Sequence, residues 1–240
     1  MNILDETSGK LLEYRQLRKN PKFAHIWNTS YSNDLGRLWQ VVGKVSKVPK
    51  NQRVEGTKNF RIILFEYIPR DRQKEISHSM VVCEVRPQKE YTNHTRITVS
   101  GSRICYTRNI GTPTGSINLV NIMIKSVLSR RNARFVCFDA KKFYLQTPMY
   151  RPEYMRIKRL EITQEFIEEY NLTQLVQNGW IYFEIIRVCY SLSQSGRLAN
   201  DFLRTRLEKA GYYEEDATPD LWCHICHPIE FVLIVHQICC

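Results

Sequence analysis

The apolar residues of this chain come in short runs, and that limits what it can fold into. In 240 residues the longest is Phe231-Val-Leu-Ile-Val235. A helix that crosses a membrane needs about 20 apolar residues in a row, so no span is expected. The core has to be assembled from short strands and one-faced helices. Apolar residues make up 43% and charged residues 25%, which excludes a mostly disordered chain, a collagen-like repeat and a coiled coil.

Residues 8–43 predict two helices. In the first, Leu11, Leu12, Tyr14 and Leu17 cluster on one side and Asn20-Pro21 ends it. In the second, Phe23, Ile26, Trp27, Tyr31, Leu35, Leu38 and Val42 recur at helical spacing. Residues 44–59 are basic and turn-rich and read as a linker. Phe60–Ile68, Met80–Val85, Thr95–Val99 and Trp180–Ile186 predict strands. Thr112-Pro-Thr-Gly-Ser116 is a turn that opens a helix, with Ser116 as its N-cap and Leu119, Val120, Met123, Val127 and Leu128 as its inner face. Phe135–Phe138 predicts a buried strand ending on Asp139. Helices are expected over Ile162–Tyr170 and over Arg197–Ala210, the latter stopped by Gly211. Phe231–Val235 predicts a last buried strand. Strands and helices mix without regular βαβ alternation, so the expected class is α+β with a largely antiparallel sheet. The expected division is a helical segment and basic linker at 1–59, a second region at 60–135 and a third at 136–240.

Charge is unevenly spread. Residues 1–135 carry 24 Lys and Arg against 10 Asp and Glu, whereas residues 136–240 carry 11 against 14. A basic half followed by a slightly acidic half suits a protein that grips a polyanion with one part. Met1-Asn-Ile-Leu-Asp5-Glu6 has neither the basic start nor the apolar core of a secretory signal. Eight scattered cysteines are too few for a disulfide scaffold at this size. An intracellular protein, cytoplasmic or nuclear, without membrane attachment is the expectation.

Three segments carry chemistry. Phe135-Val-Cys-Phe-Asp139-Ala-Lys-Lys-Phe-Tyr144-Leu-Gln-Thr-Pro-Met149 places an acid at the end of an apolar run, where a carboxylate can hold a hard cation. Cys189-Tyr-Ser-Leu-Ser-Gln194-Ser-Gly-Arg-Leu-Ala-Asn200 is a turn feeding a helix. Pro219 to Val235 ends in the apolar run that leads to His236-Gln237.

In this order and at this spacing the three segments resemble the reverse transcriptase of copia-type LTR retrotransposons, over roughly Leu11 to Val235. The resemblance implies a right-hand polymerase with fingers over 60–135 and a palm over 136–240. It implies growth of DNA on an RNA or DNA template-primer by in-line phosphoryl transfer. Active members use two Mg²⁺ ions, which activate the attacking hydroxyl and steady the leaving oxygen. Asp139 matches the first metal-binding aspartate. Tyr144 matches the aromatic gate against a ribose 2′-hydroxyl, and Gln194 the glutamine at the nucleotide sugar. Arg86, Lys89 and Arg96 match basic fingers positions near phosphates, which position a polyanion without reading its sequence.

The chain departs from that pattern where the metal would sit. His236 and Gln237 stand in place of the family's adjacent aspartate pair. Imidazole suits zinc better than magnesium and a glutamine amide is neutral, so no bound cofactor and no polymerase turnover are expected. Met80 falls where a basic residue is expected. Ser191 replaces a glycine that supplies a positive φ, a conformation serine tolerates poorly. Three residues follow Gln237, so the return strand, thumb and any RNase H domain are expected to be missing.

Two other readings use the same residues. The basic residues of 1–135 suit a non-enzymatic nucleic-acid-binding module. Cys223, Cys226, His227 and Cys239, with His236 and Cys240 nearby, have ligand types for a zinc-stabilised structural or interaction protein. Cys223-His-Ile-Cys-His227 also matches the haem-attachment pattern, but that chemistry needs an export context.

Overall fold

The β-branched and aromatic runs at 60–63, 77–85, 93–99 and 180–187 all become strands, and a fifth strand that the sequence hides joins them. The computed structural model describes residues 3–5, 9–39, 41–42, 54–88, 92–140 and 142–234. The elements begin with a small hairpin, β1 (Ile3–Asp5) and β2 (Lys10–Leu12). One helical turn, α1 (Tyr14–Leu17), and a long helix, α2 (Ala24–Leu38), follow. Next come β3 (Val41–Val42), β4 (Val54–Glu55), β5 (Phe60–Ile63), β6 (Ser77–Val85), β7 (Asn93–Val99) and α3 (Ile117–Ser129). The chain continues with β8 (Pro148–Lys158), α4 (Gln164–Glu169), β9 (Trp180–Arg187) and α5 (Ser195–Lys209). It closes with β10 (Tyr212–Glu214), β11 (Leu221–His224) and β12 (Glu230–Val232). No helix among the described residues is long and apolar enough to cross a membrane.

Contacts gather the chain into two units, Met1–Cys105 with Pro148–Leu192, and Tyr106–Thr147 with Ser193–Cys240. These do not coincide with cuts at 59 and 135, because β8 and β9 find their sheet partners in the first hundred residues. The first unit holds a five-stranded sheet in the order β5-β9-β8-β6-β7. Every pairing is antiparallel except β6 with β8, which run parallel over Ser77↔Met155 and His78↔Arg156. One face carries Phe60, Phe183, Ile185, Met155 and Ile157, all buried with Leu35, Leu38, Trp39, Phe166 and Ile167. Trp39 lies tilted against Tyr170 and Phe166 and meets Phe183 edge-on. The other face buries Tyr154 and Tyr182 with Ile68 and Ile76.

β8 tolerates a buried carboxylate because two arginines meet it. Arg72 Nη2 lies 2.6 Å from Glu153, and its Nε lies 2.6 Å from Glu75. Arg151 pairs with Glu75 as well. Burial pushes the Glu153 carboxyl above its usual range, against the pull of Arg72 and Arg151.

The second unit is built around α5 and an antiparallel sheet in the order β10-β11-β12. Trp222 is buried and stacks parallel to Phe231 at 6.2 Å. Gly211 ends α5 at φ +85°, where an L side chain is strained. Ser116 caps α3 as its position predicts, its hydroxyl accepting from the Leu119 amide at 3.1 Å. The Gly115 amide just before it donates to the Leu233 carbonyl at 2.9 Å, and a Cβ there would meet Val232 Cγ1 at 2.1 Å.

Several expectations are corrected. Leu11 and Leu12 lie in strand β2, not a helix, since β2 pairs with β1 in the register Leu4↔Leu11. Phe60–Ile68 is strand only to Ile63, and a 3₁₀ turn takes Phe65–Tyr67. Phe135–Phe138 is neither strand nor buried. No strand among the described residues pairs with it, and Phe135 and Phe138 are 57% and 78% exposed. Phe231 and Val232 form half-buried strand, whereas Val235 lies outside the described residues.

Candidate nucleic-acid interface

The β6–β7 hairpin sets out the predicted fingers cations. Its register pairs Val82 with Arg96 and Glu84 with His94, and the Arg86 amide closes the end on the Thr92 carbonyl at 2.7 Å. Successive strand side chains alternate between faces, so Met80, Val82, Glu84, His94 and Arg96 share one face while Thr95, Ile97 and Val99 turn inward. Arg96 lies over the Tyr190 ring at 5.1 Å. The Val99 amide donates to the Tyr190 carbonyl at 3.3 Å, which fixes that ring's segment beside β7. Arg86 and Arg96 are therefore brought together on one hairpin. Lys89 lies outside the described residues. Met80 is exposed on the same face, so a thioether stands where a cation is expected.

The two arginines are not equivalent. Arg86 Nη2 lies 2.6 Å from Glu84, and this hydrogen bond draws the Glu84 carboxyl below its ordinary range. A phosphate at Arg86 has to compete with that carboxylate. Arg96 makes no ion pair among the described residues, although its charge reaches the Asp34 and Glu84 carboxylates. His94 is pulled below its usual value by burial and by Arg86, so near neutrality it adds hydrogen-bonding capacity rather than charge.

Asp34 holds the hairpin from behind, and the sequence gives no sign of this. It sits in α2, buried, and its Oδ2 accepts from the Ile97 amide of β7 at 2.7 Å while Oδ1 accepts from Arg37. Burial pushes the Asp34 carboxyl up, and Arg37 and the Ile97 amide pull it back. An aspartate mid-helix reads as solvent-facing polarity, so only the packing of α2 on β7 reveals its role.

Asp139, Tyr144 and Gln194 all belong to the second unit. Asp139 is exposed on irregular chain, so no strand delivers it into a cleft. Tyr144 is half-buried at the head of a 3₁₀ turn that packs on α5, with its ring edge-on to Phe143 at 5.3 Å. Gln194 is buried directly before α5. Ser191, in the first unit, has φ +69°, a left-handed conformation that suits glycine better than serine. Its hydroxyl is buried and finds no partner among the described residues.

The donor set does not fit a paired magnesium centre. At the three matched positions the chain offers one carboxylate, an imidazole and a neutral amide, and His236 and Gln237 lie outside the described residues. Among the described residues no three of His, Cys, Asp or Glu are grouped to hold a metal ion. Of the zinc-type residues, Cys239 also lies outside them. His224 Nδ1 accepts from the Cys226 and His227 amides at 3.0 and 3.1 Å, which folds the 224–227 loop back on itself. No family model, curated protein or solved structure matches this chain.

Proposed function

We propose that this chain is a copia-type reverse-transcriptase-like module that holds a nucleic-acid template-primer through its β6–β7 hairpin and does not polymerise. The observation that supports it is Arg96, stacked on Tyr190 without an ion pair among the described residues, on the same hairpin as Arg86. A guanidinium presented by an aromatic face is pre-organised for phosphate and loses little freedom on binding. Such contacts fix a backbone in place without reading bases. The missing half of the function follows from charge. One carboxylate cannot neutralise two divalent ions, and each 1.4 kcal/mol of lost transition-state stabilisation slows a reaction about tenfold.

Binding of the full chain to a fluorescent primer–template duplex tests the grip. If Arg86, Lys89 and Arg96 neutralise three phosphates, affinity falls about 40-fold between ~50 and ~200 mM salt. Arg96→Ala then lowers affinity several-fold and reduces the salt slope by about one phosphate, and Arg86→Ala does less because Glu84 already engages it. A flat salt dependence defeats the reading. Primer extension with Mg²⁺ or Mn²⁺ tests the second half, with no product expected. Robust extension would mean that other groups supply the metal centre.

A further inference from the structure

A second basic feature lies in the first unit, away from Arg86 and Arg96 in sequence and built from segments that have no local motif. Strand β6 pairs with β8 for only two residues, Ser77 and His78, before it leaves to pair with β7. A cavity of about 220 Å³ is lined there by His78, Ser79, Arg103, Arg156, Lys158 and Trp180, with Ile76 among its apolar walls and the Arg15–Glu161 ion pair at its side. Glu161 is the one carboxylate among its lining residues, and Arg15 Nη2 already holds it at 2.7 Å. Arg103, Arg156 and Lys158 make no ion pair among the described residues.

Two residues lining this cavity carry a buried donor with no acceptor among the described residues. Ser79 is 9% exposed and its hydroxyl is buried without a partner. Arg156 Nε is buried and equally unpartnered. An unsatisfied buried donor carries a desolvation cost that an incoming acceptor removes. Three uncompensated cations around a small concavity also repel one another, and an anion relieves that. The size of the ligand follows from the walls. Trp180 is covered by the Arg156 guanidinium at 4.3 Å, with Lys158 Nζ at 5.4 Å from the ring centre. The guanidinium takes the place on the ring that a base would need, and the volume falls below the ~300 Å³ at which pockets for drug-sized ligands begin. A tetrahedral oxyanion with several acceptors fits both limits.

We infer that this cavity is a phosphate-binding site, held by Arg103, Arg156 and Lys158 with the Ser79 hydroxyl as an added donor. It takes either free inorganic phosphate or the terminal phosphate of a nucleotide chain. The site shares strand β6 with the hairpin but uses none of Arg86, Lys89 and Arg96.

Calorimetric titration of the full chain at constant ionic strength tests it. One arm uses inorganic phosphate. The other uses a short single-stranded oligonucleotide with a 5′-phosphate and its 5′-hydroxyl twin. Saturable one-site binding of at least one phosphate-bearing probe is expected. Arg103→Ala, at an exposed position, weakens binding of inorganic phosphate about tenfold and Ser79→Ala weakens it several-fold. A preference of fivefold or more for the 5′-phosphate over the hydroxyl twin assigns the site to a nucleotide end. Saturable inorganic phosphate with equal binding of the two oligonucleotides assigns it to free phosphate. The proposal is overturned if inorganic phosphate does not saturate and the oligonucleotide binds no better with a 5′-phosphate than with a 5′-hydroxyl. It is also overturned if Arg103→Ala and Ser79→Ala, shown folded by circular dichroism, both bind as the unaltered chain does.

Discussion

Helices α2 and α3 are of similar length and both carry apolar residues at helical spacing, yet they end up differently. Helix α2 buries Trp27, Tyr31, Leu35 and Leu38 and reaches across to β7 with a buried carboxylate. Helix α3 buries no residue fully, and Ile117, Ile122 and Leu128 stand exposed, Leu128 by 81%. The difference comes from what each faces. Helix α2 lies along β7 of the five-stranded sheet, whereas among the described residues no strand or helix packs as extensively on α3. Apolar periodicity makes a helix, but burial requires an opposing face of matching size.

The comparison breaks most sharply at Asp34. Asp34→Ala strips the Ile97 amide and Arg37 of their acceptor inside the first unit, and a loss of about 3–5 kcal/mol is expected, read by urea unfolding. The same truncation made on both helices sharpens the contrast. Leu35→Ala should cost about 2–5 kcal/mol, because a buried side chain leaves a cavity. Leu128→Ala should stay within about 0.5 kcal/mol. Equal costs would mean that α3 is covered in solution.

Ser191 runs the other way. Ser191→Gly relieves a positive φ and removes a buried hydroxyl without a partner among the described residues, so about 1–2 kcal/mol of added stability is expected. A melting temperature that does not rise would show that the serine conformation is unstrained. A pH dependence is expected as well. Burial pushes the Cys83 thiol up to about 11 from an ordinary 9.0. The folded state thus binds this proton more tightly, and the resulting stabilisation is whole below pH 9 and lost as pH rises through about 11. The Cys83→Ala variant should lack that loss. At pH 8, thiol labelling read by peptide mapping should reach exposed Cys105, Cys137 and Cys226 well before buried Cys83 and Cys189.

Much of the fold was legible because its signals are local. Helix α2, the β6–β7 hairpin and β9 announce themselves by period, and α3 and α5 by their cap and stop residues. Strand β8 was not legible. Pro148 and Pro152 argue against a strand, and the structure accommodates them with a register shift between Pro148 and Glu153. Its buried Glu153 reads as a surface residue until Arg72 and Arg151 are seen to meet it. The pair β1–β2 is too short to show alternation, so Leu11 and Leu12 passed for the start of a helix. The opposite error was made at Phe135–Phe138, where an apolar run was read as a strand although a strand also needs a neighbour. The arginines of the β6–β7 hairpin came from the resemblance. Asp34 and the residues around Trp180 come together only through tertiary packing, and no stretch of sequence holds them.

The uncovered Phe135-Val-Cys-Phe138 stretch has one more consequence. Four β-prone residues open to solvent are a seed for stacking with further copies in a cross-β array. Arg130, Arg131 and Arg134 stand on one side of it and Asp139 on the other, and like charges brought into register along a growing fibre repel. These flanking residues act as gatekeepers, and they guard the molecule's solubility most strongly in dilute electrolyte, where their repulsion is least screened.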